Sequence, residues 1–157
     1  IIAAVDPSHA HSKPAALDDA IVETALAVAE KFAGDAHLLH TYIPVAGIAK
    51  VANRTFKPTR LSVEDIDKEV QAEHRRNLDA LAAKHGVPAD RVHQLPGRAS
   101  EIIPAFARTR KSGLVVMGAL ARWGLKRMVI GSTAERTLDL LPCDVLIVRP
   151  REDREHR

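Results

Sequence analysis

The 157-residue chain is long enough for one domain with a single sizeable core, and its 46% hydrophobic and 27% charged residues are ordinary for a globular protein. Aromatics make up only 3%, so the core must be built from Val, Ile, Leu and Ala, which suits a parallel sheet covered by helices. A formal charge of +3 from scattered basic residues, with few aromatics to stack on bases, argues against nucleic acid as a partner. No apolar run approaches the ~20 residues of a membrane span, and no secretory pattern is present.

Residues 1–5 read as a buried strand ended by Asp6-Pro7. Because the chain starts inside this strand, residues upstream of Ile1 are expected in the natural protein. Leu17, Ile21, Ala25, Val28, Ala29 and Phe32 recur at helical spacing, and Gly34 follows as a C-cap candidate. Residues 36–43 form a second strand closed by Pro44. Residues 43–61 are the longest irregular stretch, a length usual for functional or mobile loops. Ser62 with Asp65 makes an approximate capping box, and Val63, Ile66, Val70, Leu78 and Leu81 line one face of a long helix. Gly86 and Pro88 stop it.

Residues 91–95 give a short third strand ended by Pro96-Gly97. A helix follows over about 98–110, with Pro104 expected in its first turns or at a kink. Residues 114–117 are a fourth strand ended by Gly118. A last helix runs from about Ser132 to Leu141, and residues 144–148 form a fifth strand before Pro150. The single cysteine, Cys143, cannot form an intrachain disulfide and is expected to be a buried structural thiol. Residues 1–148 make one domain, and 149–157 are a charged tail.

The order β-α-β-α-β-α-β-α-β predicts a five-stranded, doubly wound parallel α/β sheet in the order 3-2-1-4-5, with helices on both faces. Ligands in such sheets bind beyond the carboxyl ends of the strands where the order reverses, here between strands one and four. Asp6-Pro7 sits at one side of that point. Gly118-Ala-Leu-Ala121-Arg122-Trp123-Gly124 and then Gly131-Ser132-Thr133 follow on the other. Gly118 permits close backbone approach. Gly131-Ser132-Thr133 opens a helix, whose exposed N–H groups and two hydroxyls form a phosphate cradle. Asp6 can accept a hydrogen bond from a base or sugar. With Ala4, Pro7, Thr41, Met117, Ala121 and Arg122, these are the candidate nucleotide-binding residues.

The Gly118–Ser132 segment resembles the signature Gly-x2-Gly-x9-Gly-Ser/Thr of the universal stress protein family, with Ala121 at the second glycine. The start Ala3-Ala4-Val5-Asp6, the helix start Gly97-Arg-Ala-Ser-Glu-Ile-Ile and the ending Ser132-Thr-Ala-Glu135…Pro142-Cys-Asp-Val-Leu-Ile-Val are similar to the family as well. The loop Asp6-Pro-Ser-His9-Ala-His11-Ser-Lys13-Pro14 is most like the tandem-domain branch. The resemblance implies an adenine nucleotide alpha hydrolase-like fold and a cytoplasmic stress-response module. It implies a site for ATP or AMP with Mg²⁺, with Arg122 toward a phosphate and slow hydrolysis at most. It also implies a homodimer, or a pseudo-dimer with a second domain, through strand 144–148. That strand carries no lysine or glycine to protect an exposed edge.

Other chemistry has little footing. His9 and His11 lack further ligands at a telling spacing for a metal. His74, between Val70 and Leu78 on the apolar helix face, reads as a packed histidine. Trp123 is either a lid over the pocket or a dimer contact. A receiver-type signalling domain needs an aspartate ending strand three and a lysine ending strand five; Gln94-Leu95 and Val148-Arg149 stand there instead. A dinucleotide fingerprint, a P-loop and a placed nucleophilic triad are all missing. Two readings remain: a nucleotide-binding stress module, and a dimeric interaction or apolar-ligand module that binds no nucleotide.

Overall fold

The computed structural model describes residues 1–8, 16–44, 62–118 and 136–149. The expectations for His9, His11, Ala121, Arg122, Trp123, Gly131, Ser132, Thr133, most of the 43–61 loop and most of the charged tail lie outside these residues.

The strands are β1 (Ile2–Ala4), β2 (His37–Tyr42), β3 (Val92–Pro96), β4 (Leu114–Gly118) and β5 (Asp144–Val148). All pair in parallel, in the order β3-β2-β1-β4-β5. β1 is shorter than its apolar run because the chain leaves the ladder after Val5 N–H donates to Leu39 O at 3.0 Å. β4 runs one residue further than its apolar stretch, since Gly118 pairs with Val148.

The helices are α1 (Leu17–Lys31), α2 (Val63–Lys84) and α3 (Ala99–Arg110). Ser62 caps α2 by accepting from Asp65 N–H at 3.1 Å. Its hydroxyl donates to the Asp65 carboxylate at 2.7 Å, so the box closes side chain to side chain. All three helices end with the chain turning into the left-handed region and an N–H reaching back five residues: Gly34 to Ala29, Val87 to Ala82 and Ser112 to Ala107. The left-handed residues are Ala33 (φ 49), Gly86 (φ 67) and Lys111 (φ 50). The expected cap at Gly34 is thus displaced: Ala33 takes the strained position and Gly34 only donates. Pro104 falls in the second turn of α3, fully buried, and the helix continues through it. Residues 136–138 are helical.

Two apolar layers flank the sheet. Ala3, Val5, Leu38 and Val116 pack with Leu17, Ile21, Val22 and Ala25 of α1 and Leu78 and Ala82 of α2. Ile2, Leu39, Val115 and Met117 pack with Ile103 and Ala107 of α3. Side chains alternate between these layers along each strand. His40 therefore points toward α2, among aliphatic neighbours, at 0% exposure. Cys143 is half-buried, less enclosed than its flanks predict. Burial is the first cause holding its thiol above the ordinary range, and Asp144 adds to it. Among the described residues no helix is long and apolar enough to cross a membrane.

Candidate ligand-binding site at the strand carboxyl ends

The strand order reverses between β1 and β4, and the described candidate residues gather there. Ala4 pairs with Met117 across β1 and β4 and with Leu39 across β1 and β2. Thr41 lies two residues beyond Leu39, on the α3 side of the sheet. Met117 is buried, whereas Ala4, Asp6, Pro7, Thr41 and Gly118 are partly open. A Cβ built on Gly118 would stand 2.8 Å from Leu17 Cδ2 and 3.0 Å from Leu17 Cγ. A side chain at 118 would have to displace the end of Leu17, because the first turn of α1 closes onto the end of β4.

The peptide unit joining Val5 to Asp6 is held on both sides. Its N–H donates to Asp18 Oδ1 at 3.0 Å, and its carbonyl accepts from His40 Nδ1 at 3.1 Å. Asp18 and His40 are both buried, so the Val5–Asp6 peptide just beyond β1 is fixed by core groups rather than by solvent. Asp6 Oδ1 stands 3.7 Å from His40 Nδ1 in ion-pair range, with the Asp6 side chain 48% exposed. The carboxylate is thus presented, partly wet, at the reversal point.

Behind it, His40 Nε2 meets His74 Nδ1 at 2.7 Å. Their rings lie 5.0 Å apart, and Tyr42 packs on His74 at 5.7 Å. One turn further along α2, Asn77 Nδ2 reaches Ser8 Oγ at 3.4 Å. Burial, followed by the charge of Asp67, holds the Tyr42 hydroxyl above its ordinary value. His74 is packed as its place on the helix face predicts. His40 and Asp18 escaped the sequence reading. The signal for His40 is a lone polar residue at an inward position of a buried strand, Leu38-Leu39-His40. For Asp18 it is an acid in the first turn of a helix whose preceding residue, Ala16, offers no side-chain cap.

Among the described residues no group of three or more His, Cys, Asp or Glu could hold a metal ion. The half of the site expected to cradle phosphate, Gly131-Ser132-Thr133 with Ala121 and Arg122, lies outside the described residues. The half that is described brings a partly exposed, oriented carboxylate at Asp6 beside the ends of β1 and β4, with Ala4 and Gly118 partly open and Met117 buried.

The strand order defines a doubly wound parallel α/β domain with its switch point between β1 and β4. Residues 1–149 match the Universal stress protein family, and the chain belongs to that family. It is 29% identical over 151 residues to the Universal stress protein E homolog of Haemophilus influenzae, covering 96% of this chain and 47% of that protein. It is 28% identical over 142 residues to Universal stress protein E of Escherichia coli K12, covering 86% of this chain and 42% of that one. The chain thus spans about half the length of the curated relatives it matches. Among solved structures it is similar to a functionally unknown protein from Pseudomonas aeruginosa PAO1, with TM-score 0.69 and 26% identity over 95% of this chain and 46% of that chain. A universal stress protein from Archaeoglobus fulgidus shares the fold, with TM-score 0.62 and 18% identity over 93% and 95% of the two chains.

Proposed function

We propose that this domain is a stress-response binding module that takes an adenine nucleotide, ATP or AMP with Mg²⁺, in the crevice between the carboxyl ends of β1 and β4. The observation that carries the reading is the clamped Val5–Asp6 peptide, which presents the Asp6 carboxylate, partly exposed, at the reversal point between β1 and β4. Asp6 would accept from a base or ribose donor, and the Gly131-Ser132-Thr133 segment would receive the phosphates. The module acts by binding and not as a conventional enzyme, with slow hydrolysis at most. Its setting is the cytoplasm, where the lone thiol of Cys143 stays reduced.

The partner in this reading is a second copy of the fold, in a homodimer or as the other half of a longer chain, meeting along β5. Support comes from β5 standing at the sheet edge with Leu146 37% exposed, and from relatives about twice as long as this chain. Thermal unfolding with increasing ATP and Mg²⁺ tests the nucleotide. Ligand at a hundred times its dissociation constant should stabilise the domain by about 2.7 kcal/mol. An unmoved melting temperature at millimolar ATP would favour the interaction module that binds no nucleotide.

A further inference from the structure

Behind Asp6 runs an imidazole chain that starts in the core and ends at a half-buried ring. The Val5 carbonyl can only accept, so its 3.1 Å contact places a proton on His40 Nδ1. His40 Nε2 then accepts from His74 Nδ1–H at 2.7 Å. A second proton on the pair has to go to His74 Nε2, and through the short bridge its charge is shared with His40.

We propose that His40 and Asp18 are positioning residues for the ligand at Asp6, and that His74 makes binding there proton-linked. This rests on the reading above, in which a ligand covers Asp6. The N–H and the carbonyl of one peptide unit are both taken by buried side chains, so the direction of the Asp6 carboxylate is set from behind. A ligand that covers this carboxylate strips water from it, which disfavours the charged form unless a positive charge stands close. The imidazole pair supplies that charge with His40 Nδ1 3.7 Å from Asp6 Oδ1. Binding therefore takes up a proton, and affinity rises as pH falls through the histidine range. Among the described residues, Tyr42 from β2 also packs on His74, its hydroxyl held neutral by its raised value, to which burial and then the charge of Asp67 on α2 contribute.

The test has a ligand-free arm and a ligand arm, both on the whole chain. Without ligand, the Val5 and Asp6 amide resonances are followed from about pH 5 to 8. They should shift in step with the His74 ring and lose that shift in His74→Gln, a half-buried change compatible with folding. With ligand, calorimetry should show ATP·Mg²⁺ affinity rising on acidification by up to about tenfold per pH unit more in the native chain than in His74→Gln, the limit for one linked proton. Comparing the two proteins cancels the titration of ATP itself. Asp18→Asn still accepts from Asp6 N–H and should bind normally, whereas Asp18→Ala should lose about tenfold. A His74 ring that titrates without moving Asp6, superimposable pH profiles, or an unaffected Asp18→Ala would each overturn the proposal. ATP that binds at no pH overturns the nucleotide reading and the ligand half of this one, while the ligand-free arm still decides the clamp.

Discussion

Two histidine pairs lie at opposite ends of the same sheet, and both use β2. At the carboxyl ends, His40 and His74 meet at 2.7 Å, with a carboxylate at 3.7 Å and a carbonyl accepting from the inner ring. At the amino ends, on the α3 side, His37 Nδ1 and His93 Nε2 meet at 3.1 Å. There the neighbours are an aromatic ring and a cation: Phe106 packs on His93 at 4.9 Å, and Arg110 lies over Phe106 at 5.4 Å. Burial first, and then Arg110, push both His37 and His93 below the ordinary value of 6.5. The first pair stands next to an acid; the second stands next to a cation and an aromatic ring and is held toward its neutral form. One residue type, three positions apart on β2 and therefore on opposite faces of the sheet, meets opposite electrostatic surroundings because of what packs behind it.

The sharpest break in that comparison is truncation. His40→Ala should cost about 2–4 kcal/mol in urea unfolding, since it opens a core void and removes the hydrogen bonds that His40 makes to the Val5 carbonyl and to His74. His93→Ala, half-exposed and without a buried partner to orphan, should cost about 1 kcal/mol. Equal losses would mean that burial at β2 adds nothing to the first pair.

A second contrast lies in pH. His37 and His93 bind protons less readily in the folded chain than in the unfolded one. Their stabilising contribution is complete above 6.5 and is lost as pH falls through that value toward their lower folded values. Replacing both by Leu should flatten the acid limb of stability measured between about pH 7.5 and 5. An unchanged limb would assign the acid sensitivity elsewhere.

A fifth histidine, His85, supplies the smallest effect. Its Nε2 meets Asp19 Oδ1 at 2.6 Å, and Lys84 Nζ reaches the same carboxylate at 2.8 Å. Burial alone would raise the Asp19 carboxyl, but the hydrogen bonds from Lys84 and His85 bring it below the usual range. Its contribution is present above the ordinary carboxylate value and is lost as pH falls through the lowered one. Because Lys84 is 62% exposed, Asp19→Asn should cost about 1 kcal/mol or less, and less again at high salt.

The sheet was legible because its signals are local. Apolar runs cut by Asp6-Pro7, Pro44, Pro96-Gly97 and Gly118 mark the strands, and their alternation with helical spacing gives the parallel order. Ser62 and Asp65 mark the start of α2 within a few residues of chain. What escaped depends on contacts between distant segments. His40 looks like one polar letter in an apolar strand until α2 brings His74 against it. Asp18 looks like a dipole-favouring acid until β1 ends above it. Gly34 was the plausible left-handed residue by type, but the position of the turn put Ala33 there. Cys143 is less enclosed than its flanks suggest because β5 is an edge strand, covered by neighbours on one side only. The glycine signature could be read from spacing alone, and the placement of Ala121 through Thr133 lies outside the described residues.

The contact between Gly118 and Leu17 joins two segments that no local pattern connects. They share a single parcel of space, filled by the leucine and left vacant by the glycine. Variation at either position is therefore interpretable only as a pair. A larger residue at 118 becomes tolerable when 17 shrinks, and a smaller residue at 17 leaves 118 room to grow. The room for a side chain at the end of β4 is in this sense written at the start of α1, and an engineer who wished to place one there would begin with the leucine.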